Sequence, residues 1–215
     1  IGSTINTSDD EYWPSITADG NILLFTRQLN PGDRQNRAVR GHEDFYVSLS
    51  SGDGWKEAFN AGPPLNTSQN EGAASISSNG NYMFFTACDR RGGVGSCDIY
   101  FSSYNGGRWS EPFNCGMPVN TSYWESQPSI SADGKRLFFS SSRPGGYGGK
   151  DLWFSALNDQ NMWDEPLNMG PYVNTEGDEM SPFIHFDGKT LYFASDGRPG
   201  MGGVDLYITR MNDDS

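Results

Sequence analysis

The sequence predicts an all-β fold, a β-propeller built from four-stranded antiparallel blades, and three features predict it. Asn-Thr recurs at Asn6-Thr7, Asn66-Thr67, Asn120-Thr121 and Asn174-Thr175, in steps of 60, 54 and 54 residues. Each pair is followed by the same succession: a Glu, a short β-prone run, a turn, an aromatic run, a loop (Gly-rich in the last three copies) and an Asp that opens another aromatic run. Between copies stands Trp-x-Glu, at Trp55-Lys56-Glu57, Trp109-Ser110-Glu111 and Trp163-Asp164-Glu165. No segment keeps a helical period. Repetition at this length with several short strands per unit is the mark of a radial β array, whose shared residues are architectural.

The elements follow in order. First-strand candidates are Pro14-Ser15-Ile16-Thr17, Ala74-Ser75-Ile76-Ser77, Pro128-Ser129-Ile130-Ser131 and Pro182-Phe183-Ile184-His185. Asp19-Gly20, Asn79-Gly80, Asp133-Gly134 and Asp187-Gly188 come next, dipeptides that tolerate the positive φ of a tight hairpin. Returning second strands read Ile22–Phe25, Tyr82–Phe85, Arg136–Phe139 and Thr190–Phe193, runs apolar enough to lie between neighbouring sheets. Third strands open at Asp44, Asp98, Asp151 and Asp205, each Asp placed to cap the loop before it. A short outer strand is expected around Trp55, Trp109 and Trp163. The four repeats, roughly 6–65, 66–119, 120–173 and 174–215, make one domain over 1–215. Ile1–Ile5 matches Ala61–Leu65, the tail of a Trp-x-Glu module. The sequence therefore reads as an excerpt of a larger propeller, with at least one further blade after Ser215.

A net charge of −12 and a pI near 4.4 argue against nucleic acid and anionic membrane surfaces, which reward Lys and Arg. No apolar run is long enough to span a bilayer. Cys88 and Cys97 flank the Gly-rich loop of the second unit. If that loop joins paired strands they face one another as a disulfide, which points to an oxidising compartment. Cys115 is left over as a small buried residue.

The third and fourth units carry Glu-x-x-Pro, an Asp-Gly-Lys turn, an aromatic strand, a Gly-rich loop and Asp-Leu-aromatic: Glu125 to Trp153 and Glu179 to Tyr207. This succession resembles the WD40-like propeller repeat of TolB-type periplasmic proteins. With the recurring Trp-x-Glu-Pro and Asn-Thr it looks like the propeller of OmpA-like envelope proteins of Bacteroidetes, a group that includes the PorE-type component of the type IX secretion apparatus. The resemblance covers nearly the whole chain. It implies a periplasmic, outer-membrane-associated scaffold whose partners are envelope proteins, with peptidoglycan reached through a domain outside this chain. The first unit departs from the pattern between Arg27 and Glu43, and the second has Ala74 where Pro is usual.

Function is to be sought where the copies differ. Arg34, Arg37, Arg40 and His42, with Arg27, gather positive charge in the unshared loop of the first unit and are the first candidates for a partner contact. Tyr147 and Met201, at the tips of other loops, are further contact candidates. Glu11, Glu71, Glu125 and Glu179 share one position and suit a ring of carboxylates at the mouth of a central channel, with Trp13 and Trp124 beside it for a sugar ring or a peptide. The same glutamates equally suit an architectural role, accepting hydrogen bonds from neighbouring backbone or from Arg90, Arg143 and Arg198 across blades. His42 and His185 lie far apart in the repeat, no nucleophile elbow and no zinc-type cluster occurs, and no cofactor is implied. The reading is a non-enzymatic interaction scaffold of the bacterial envelope. A glycan- or peptidoglycan-binding module is the first alternative and a propeller hydrolase the second.

Overall fold

The computed structural model describes residues 1–29 and 41–211. Among them the chain forms sixteen strands and no helix, in four antiparallel sheets arranged as propeller blades. Blade 1 is β1 (Asp10–Ile16), β2 (Ile22–Gln28), β3 (Glu43–Leu49) and β4 (Phe59–Asn60). Blade 2 is β5 (Asn70–Ile76), β6 (Tyr82–Cys88) and β7 (Cys97–Asn105), with β8 (Arg108–Trp109) and β9 (Phe113–Asn114) both paired to β7. Blade 3 is β10 (Glu125–Ile130), β11 (Arg136–Ser141), β12 (Asp151–Ala156) and β13 (Leu167–Asn168), and blade 4 is β14 (Glu179–Ile184), β15 (Thr190–Ser195) and β16 (Asp205–Arg210). The inner strands β1, β5, β10 and β14 touch in that order, while β1 and β14 make no contact among the described residues. The blades form an open arc.

The second strands of blades 1–3 bury both faces, which explains their unbroken apolar runs. Leu24 and Phe45 of blade 1 pack on Met83, Phe85 and Tyr100 of blade 2, Phe45 meeting Phe85 edge to face at 5.3 Å. Phe84 and Ile99 pack in turn on Leu137, Phe139 and Trp153, and Phe138 and Leu152 on Leu191 and Phe193. Side chains alternate across a strand, so neighbours such as Phe138 and Phe139 serve opposite junctions. Burying one Phe contributes about 1.5–3 kcal/mol, and the blades repeat this burial at every junction.

The Asn-Thr pair staples successive blades. The Asn120 side chain accepts from the Ile99 amide and donates to the Ile99 carbonyl, both at 2.8 Å, and so closes onto the third strand of the blade before it. Thr121 turns the other way, its amide and hydroxyl donating to Glu125 of the blade that follows. Asn66 on Phe45 with Thr67 on Glu71, and Asn174 on Leu152 with Thr175 on Glu179, repeat the arrangement. Asn6 instead donates to Ile1.

The hairpin turns form where expected. Gly20, Gly80, Gly134 and Gly188 sit at φ of 68–71°, and each donates to the carbonyl three residues earlier. Cys88 and Cys97 stand opposite one another on β6 and β7 and form the disulfide. Cys115, half-buried, packs beside the core between blades 2 and 3.

Two strand expectations are corrected. The blade's outer strand does not lie at Trp55, Trp109 and Trp163, which make short turn-backs with the end of the third strand. It lies four residues later, at Phe59–Asn60, Phe113–Asn114 and Leu167–Asn168, where the returning chain pairs with the middle of the third strand. The first strand begins earlier than its Pro-Ser-Ile core, at Asp10, Asn70, Glu125 or Glu179, and a β-bulge interrupts it.

Candidate functional site: the axial cavity

The bulge builds the site. Trp13, Ala73, Gln127 and Ser181 occupy the same position in the four blades, and all are left-handed, at φ of 49°, 53°, 57° and 52°. For a residue with a Cβ this conformation costs roughly 1–2 kcal/mol. The surroundings hold it in place, because the bulge amide donates to the preceding blade: Ala73 to Thr26 Oγ1, Gln127 to Thr86 Oγ1 and Ser181 to Gln127 Oε1. Farther along, Ile76, Ile130 and Ile184 donate to Ser15, Ser75 and Ser129 of the blade before. The inner strands are thus laced together around the axis, and the bulges bring four unlike side chains to one place.

That place is a cavity of about 570 Å³, lined from all four inner strands. Its wall is apolar and neutral-polar, with Trp13, Pro14, Ile16, Gln127, Pro128 and Phe183 prominent and Phe186 at the rim of blade 4. Phe183 and Phe186 are about half exposed, at 52% and 54%. Phe183 stands where the other blades hold Ser15, Ser75 and Ser129, and Phe186 where they hold Ala18, Ser78 and Ala132. Both escaped the sequence reading. Comparing the copies at the strand serine and at the residue before the turn Asp would have found them.

The glutamates do not form a channel ring, which corrects that expectation in favour of the architectural one. Glu71, Glu125 and Glu179 are fully buried, and Glu11 is mostly so. Glu125 accepts from the Thr121 amide and hydroxyl and from Ser141, and pairs with Arg143 at 3.4 Å. Arg90 lies 3.8 Å from Glu71. These pairs form within a blade rather than across blades. What crosses the junction is the rest of each guanidinium, which reaches carbonyls of the incoming link: Pro64 for Arg90, Pro118 and Val119 for Arg143, and Tyr172 and Val173 for Arg198. Arg27 does the same on β2, 3.0 Å from Glu11 and bonded to Ile5, so it belongs to the blade and not to the basic loop.

Glu71 differs from its counterparts in one partner. Ser141 and Ser195 donate to Glu125 and Glu179, whereas Ala87 faces Glu71. Burial pushes the Glu71 carboxyl above the ordinary range, against the Thr67 bonds and Arg90. A carboxyl raised in the folded state favours the protonated fold, so its contribution to stability falls as pH rises through the folded pKa. Ala87→Ser supplies the missing donor to the ionised form. The substitution is expected to stabilise the chain by about 1 kcal/mol at pH 7, with the gain fading in acid as Glu71 protonates, in urea titrations across pH.

The other sequence candidates among the described residues do not come together in space. Arg34, Arg37 and Arg40 lie outside the described residues. His42 is half exposed, 3.4 Å from Asp44. Tyr147 and Met201 are exposed at separate loops, where the Tyr147 amide donates to Asp151 and the Gly202 amide, next to Met201, donates to Asp205. Asp98 caps its loop the same way, through Val94 and Gly95. Trp13 does line the axial cavity. Trp124 does not: it bridges to Cys97 at the junction of blades 2 and 3 and carries Lys150 5.4 Å over its ring. Among the described residues no three His, Cys, Asp or Glu side chains come together as a metal site. A second recess, of about 690 Å³, opens between blades 2 and 3, lined by Phe84, Phe101, Met117, Met162 and Trp163 among others.

No protein-family profile matches the chain, and comparison with curated proteins gives no match. Solved structures do match in fold. A Hadza microbial sialidase, Hz136, is 15% identical with a TM-score of 0.53, over 93% of this chain and 44% of its own. An α-L-arabinofuranosidase from Lactobacillus brevis is 12% identical with a TM-score of 0.56, over 96% of this chain and 73% of its own. A TolB-type protein from Agrobacterium tumefaciens is 17% identical with a TM-score of 0.51, over 97% of this chain and 79% of its own. The chain spans less than half the length of the sialidase. It shares the β-propeller fold with all three, and a TolB-like one with the third; such folds host unrelated activities.

Proposed function

We propose that the chain is a non-enzymatic interaction scaffold of the bacterial cell envelope, periplasmic and associated with the outer membrane, which holds a protein partner at its axial cavity. The observation that carries this reading is the convergence of Trp13, Phe183 and Phe186, three aromatics the blades do not share, on one cavity with a neutral wall. The shared charged groups are taken up inside the blades, Glu125 on Arg143 and Asp151 on its loop. Aromatic anchors in a pre-formed recess are what a peptide or loop of a partner would engage. The basic residues Arg34, Arg37 and Arg40 belong to the same proposal as a second contact. An accessory role in a type IX secretion apparatus, with peptidoglycan held by a domain elsewhere, is its specific form.

The test is affinity capture from envelope extract with the chain and with a Phe183→Ser/Phe186→Ala variant, which restores residues that other blades tolerate. A protein retained by the first and reduced at least about tenfold with the second supports the scaffold. Equal retention by both overturns the cavity as the contact. Trp13 at a neutral-polar wall also favours a sugar ring. A shift in its emission on adding peptidoglycan fragments, without capture of any protein, would replace the first reading by the second.

A further inference from the structure

Blade 4 ends on a surface that the other three blades cover. Leu206 is 80% exposed, whereas its counterparts Phe45, Ile99 and Leu152 are fully buried. Ile208 is 63% exposed and Tyr192 is 40% exposed, against 0% for Phe138 in the place of Tyr192. What covers blades 1–3 is the same short stretch each time, an outer strand followed by the Asn-Thr link. In blade 3 it is Leu167-Asn168-Met169-Gly170-Pro171-Tyr172-Val173-Asn174-Thr175.

This stretch makes four contacts, and blade 4 offers a place for each. Its first two residues pair with the middle of the third strand, Asn168 with Trp153 and Leu167 with Phe154. The matching residues Tyr207 and Ile208 pair with no outer strand among the described residues. Its first Asn donates to the Asp at the start of the third strand in blades 1 and 2, Asn60 to Asp44 and Asn114 to Asp98, a position taken here by Asp205. Its second Asn closes on the backbone of the residue after that Asp, as Asn174 does on Leu152, and Leu206 occupies that place. Finally, a Gly in the loop lies against the backbone just past the link. A Cβ on Gly148 would meet the Gly177 carbonyl at 2.0 Å, and one on Gly95 the Tyr123 carbonyl at 2.0 Å. At Gly202 a Cβ would find only Val204 and Asp205 of its own loop, none nearer than 3.8 Å.

We propose that the open flank of blade 4 is a docking site for a segment of the form apolar-Asn-x-Gly-x-x-apolar-Asn-Thr, added as an edge strand to β16. The occupant is defined by chemistry already repeated three times in the molecule. An apolar residue covers Ile208, one Asn side chain reaches Asp205, a second brackets Leu206, and the chain after Thr passes over Gly202. Strand addition supplies the affinity through main-chain hydrogen bonds, and the two asparagines supply the register. The first blade's flank differs: Leu23 and Phe25 are already buried beneath Ile5, Trp55 and Ala58. The first blade's flank is thus covered by its own chain, which favours an incoming segment over a head-to-tail ring of copies.

The test adds a synthetic peptide with the sequence of residues 165–177 to the isotope-labelled chain and follows amide resonances. Saturable shifts at Asp205–Ile208 are expected. They should weaken at least about tenfold with a peptide carrying Asn174→Ala, and likewise with a Leu206→Lys chain, whose exposed substitution leaves the fold intact. No saturable shift up to about 1 mM peptide overturns the proposal, as does equal binding by the Asn174→Ala peptide. A dimer in sedimentation that Leu206→Lys dissociates and that the peptide does not compete with would also overturn it, by giving the site to a second copy.

Discussion

Arg143→Met is expected to destabilise the chain by about 3–5 kcal/mol, the usual result of removing one member of a buried ion pair. Glu125 has no exposed surface and the Arg143 side chain keeps only 7% of its own. Met fills much of the volume but leaves the carboxylate with hydrogen bonds from Thr121 and Ser141 and no counter-charge. It also strips donors from the carbonyls of Pro118 and Val119 in the link. Burial already lowers the Arg143 pKa, although Glu125 and Glu165 oppose the shift, so the guanidinium is held charged at a desolvation cost. Replacing both partners together, Glu125→Gln with Arg143→Met, should recover a large part of the loss, because no uncompensated charge then remains. Urea denaturation of the single and double variants measures this directly. A loss below about 1 kcal/mol for Arg143→Met would show that the pair behaves as a solvated one.

Much of this frame was legible in the sequence because it rests on local chemistry repeated four times. Asp-Gly and Asn-Gly mark hairpins wherever they join two β-prone runs, and all four formed, from Gly20 to Gly188. Asp98, Asp151 and Asp205 cap loops a few residues away, a contact that needs no knowledge of the fold. The cysteines were readable for the same reason, since the loop between them joins paired strands. What escaped depends on register. The bulge before Pro14, Pro128 and Pro182 adds a residue without a sequence mark of its own, and it decides that Glu125 faces Ser141 and turns inward. Without it the glutamates are as easily drawn in a solvent-facing ring. The two-residue outer strands are too short for any alternation, and the Trp four residues earlier drew the expectation to the wrong place. At the axial cavity Trp13 was visible as an unusual aromatic. Phe183 was hidden by its fit to a strand pattern that any apolar residue satisfies. Its meaning comes from the serines at the same position in the other blades, which lace neighbouring strands where Phe183 instead lines a cavity.

The staple makes a second large effect predictable, and the repeat supplies its own control. Asn120→Ala is expected to cost about 3 kcal/mol, whereas Asn6→Ala, at the same place in its unit, should change stability by no more than about 0.5 kcal/mol. Asn120 is fully buried and makes three hydrogen bonds at 2.8 Å, from the Ile99 amide, to the Ile99 carbonyl and to Asn114 Oδ1. Truncation leaves two backbone groups and one side-chain oxygen without these partners at a junction closed to water, where each unmade bond costs about 1–3 kcal/mol. Ala has no polar atom to replace them, and Asp would keep the acceptor while burying a charge beside Asp98. Asn6 is exposed and its side-chain amide donates to the Ile1 carbonyl, so its loss removes a contact that water replaces. The comparison separates two accounts of the repeated Asn-Thr pair. If the Asn is a local turn-former, the two substitutions cost the same, because the local sequence is alike. If it clamps one blade onto the next, the cost tracks the presence of a third strand to clamp, and only the buried member is expensive. Equal losses for Asn6→Ala and Asn120→Ala in urea denaturation would refute the clamp, and with it the part of the blade 4 docking site that rests on an Asn bracketing Leu206.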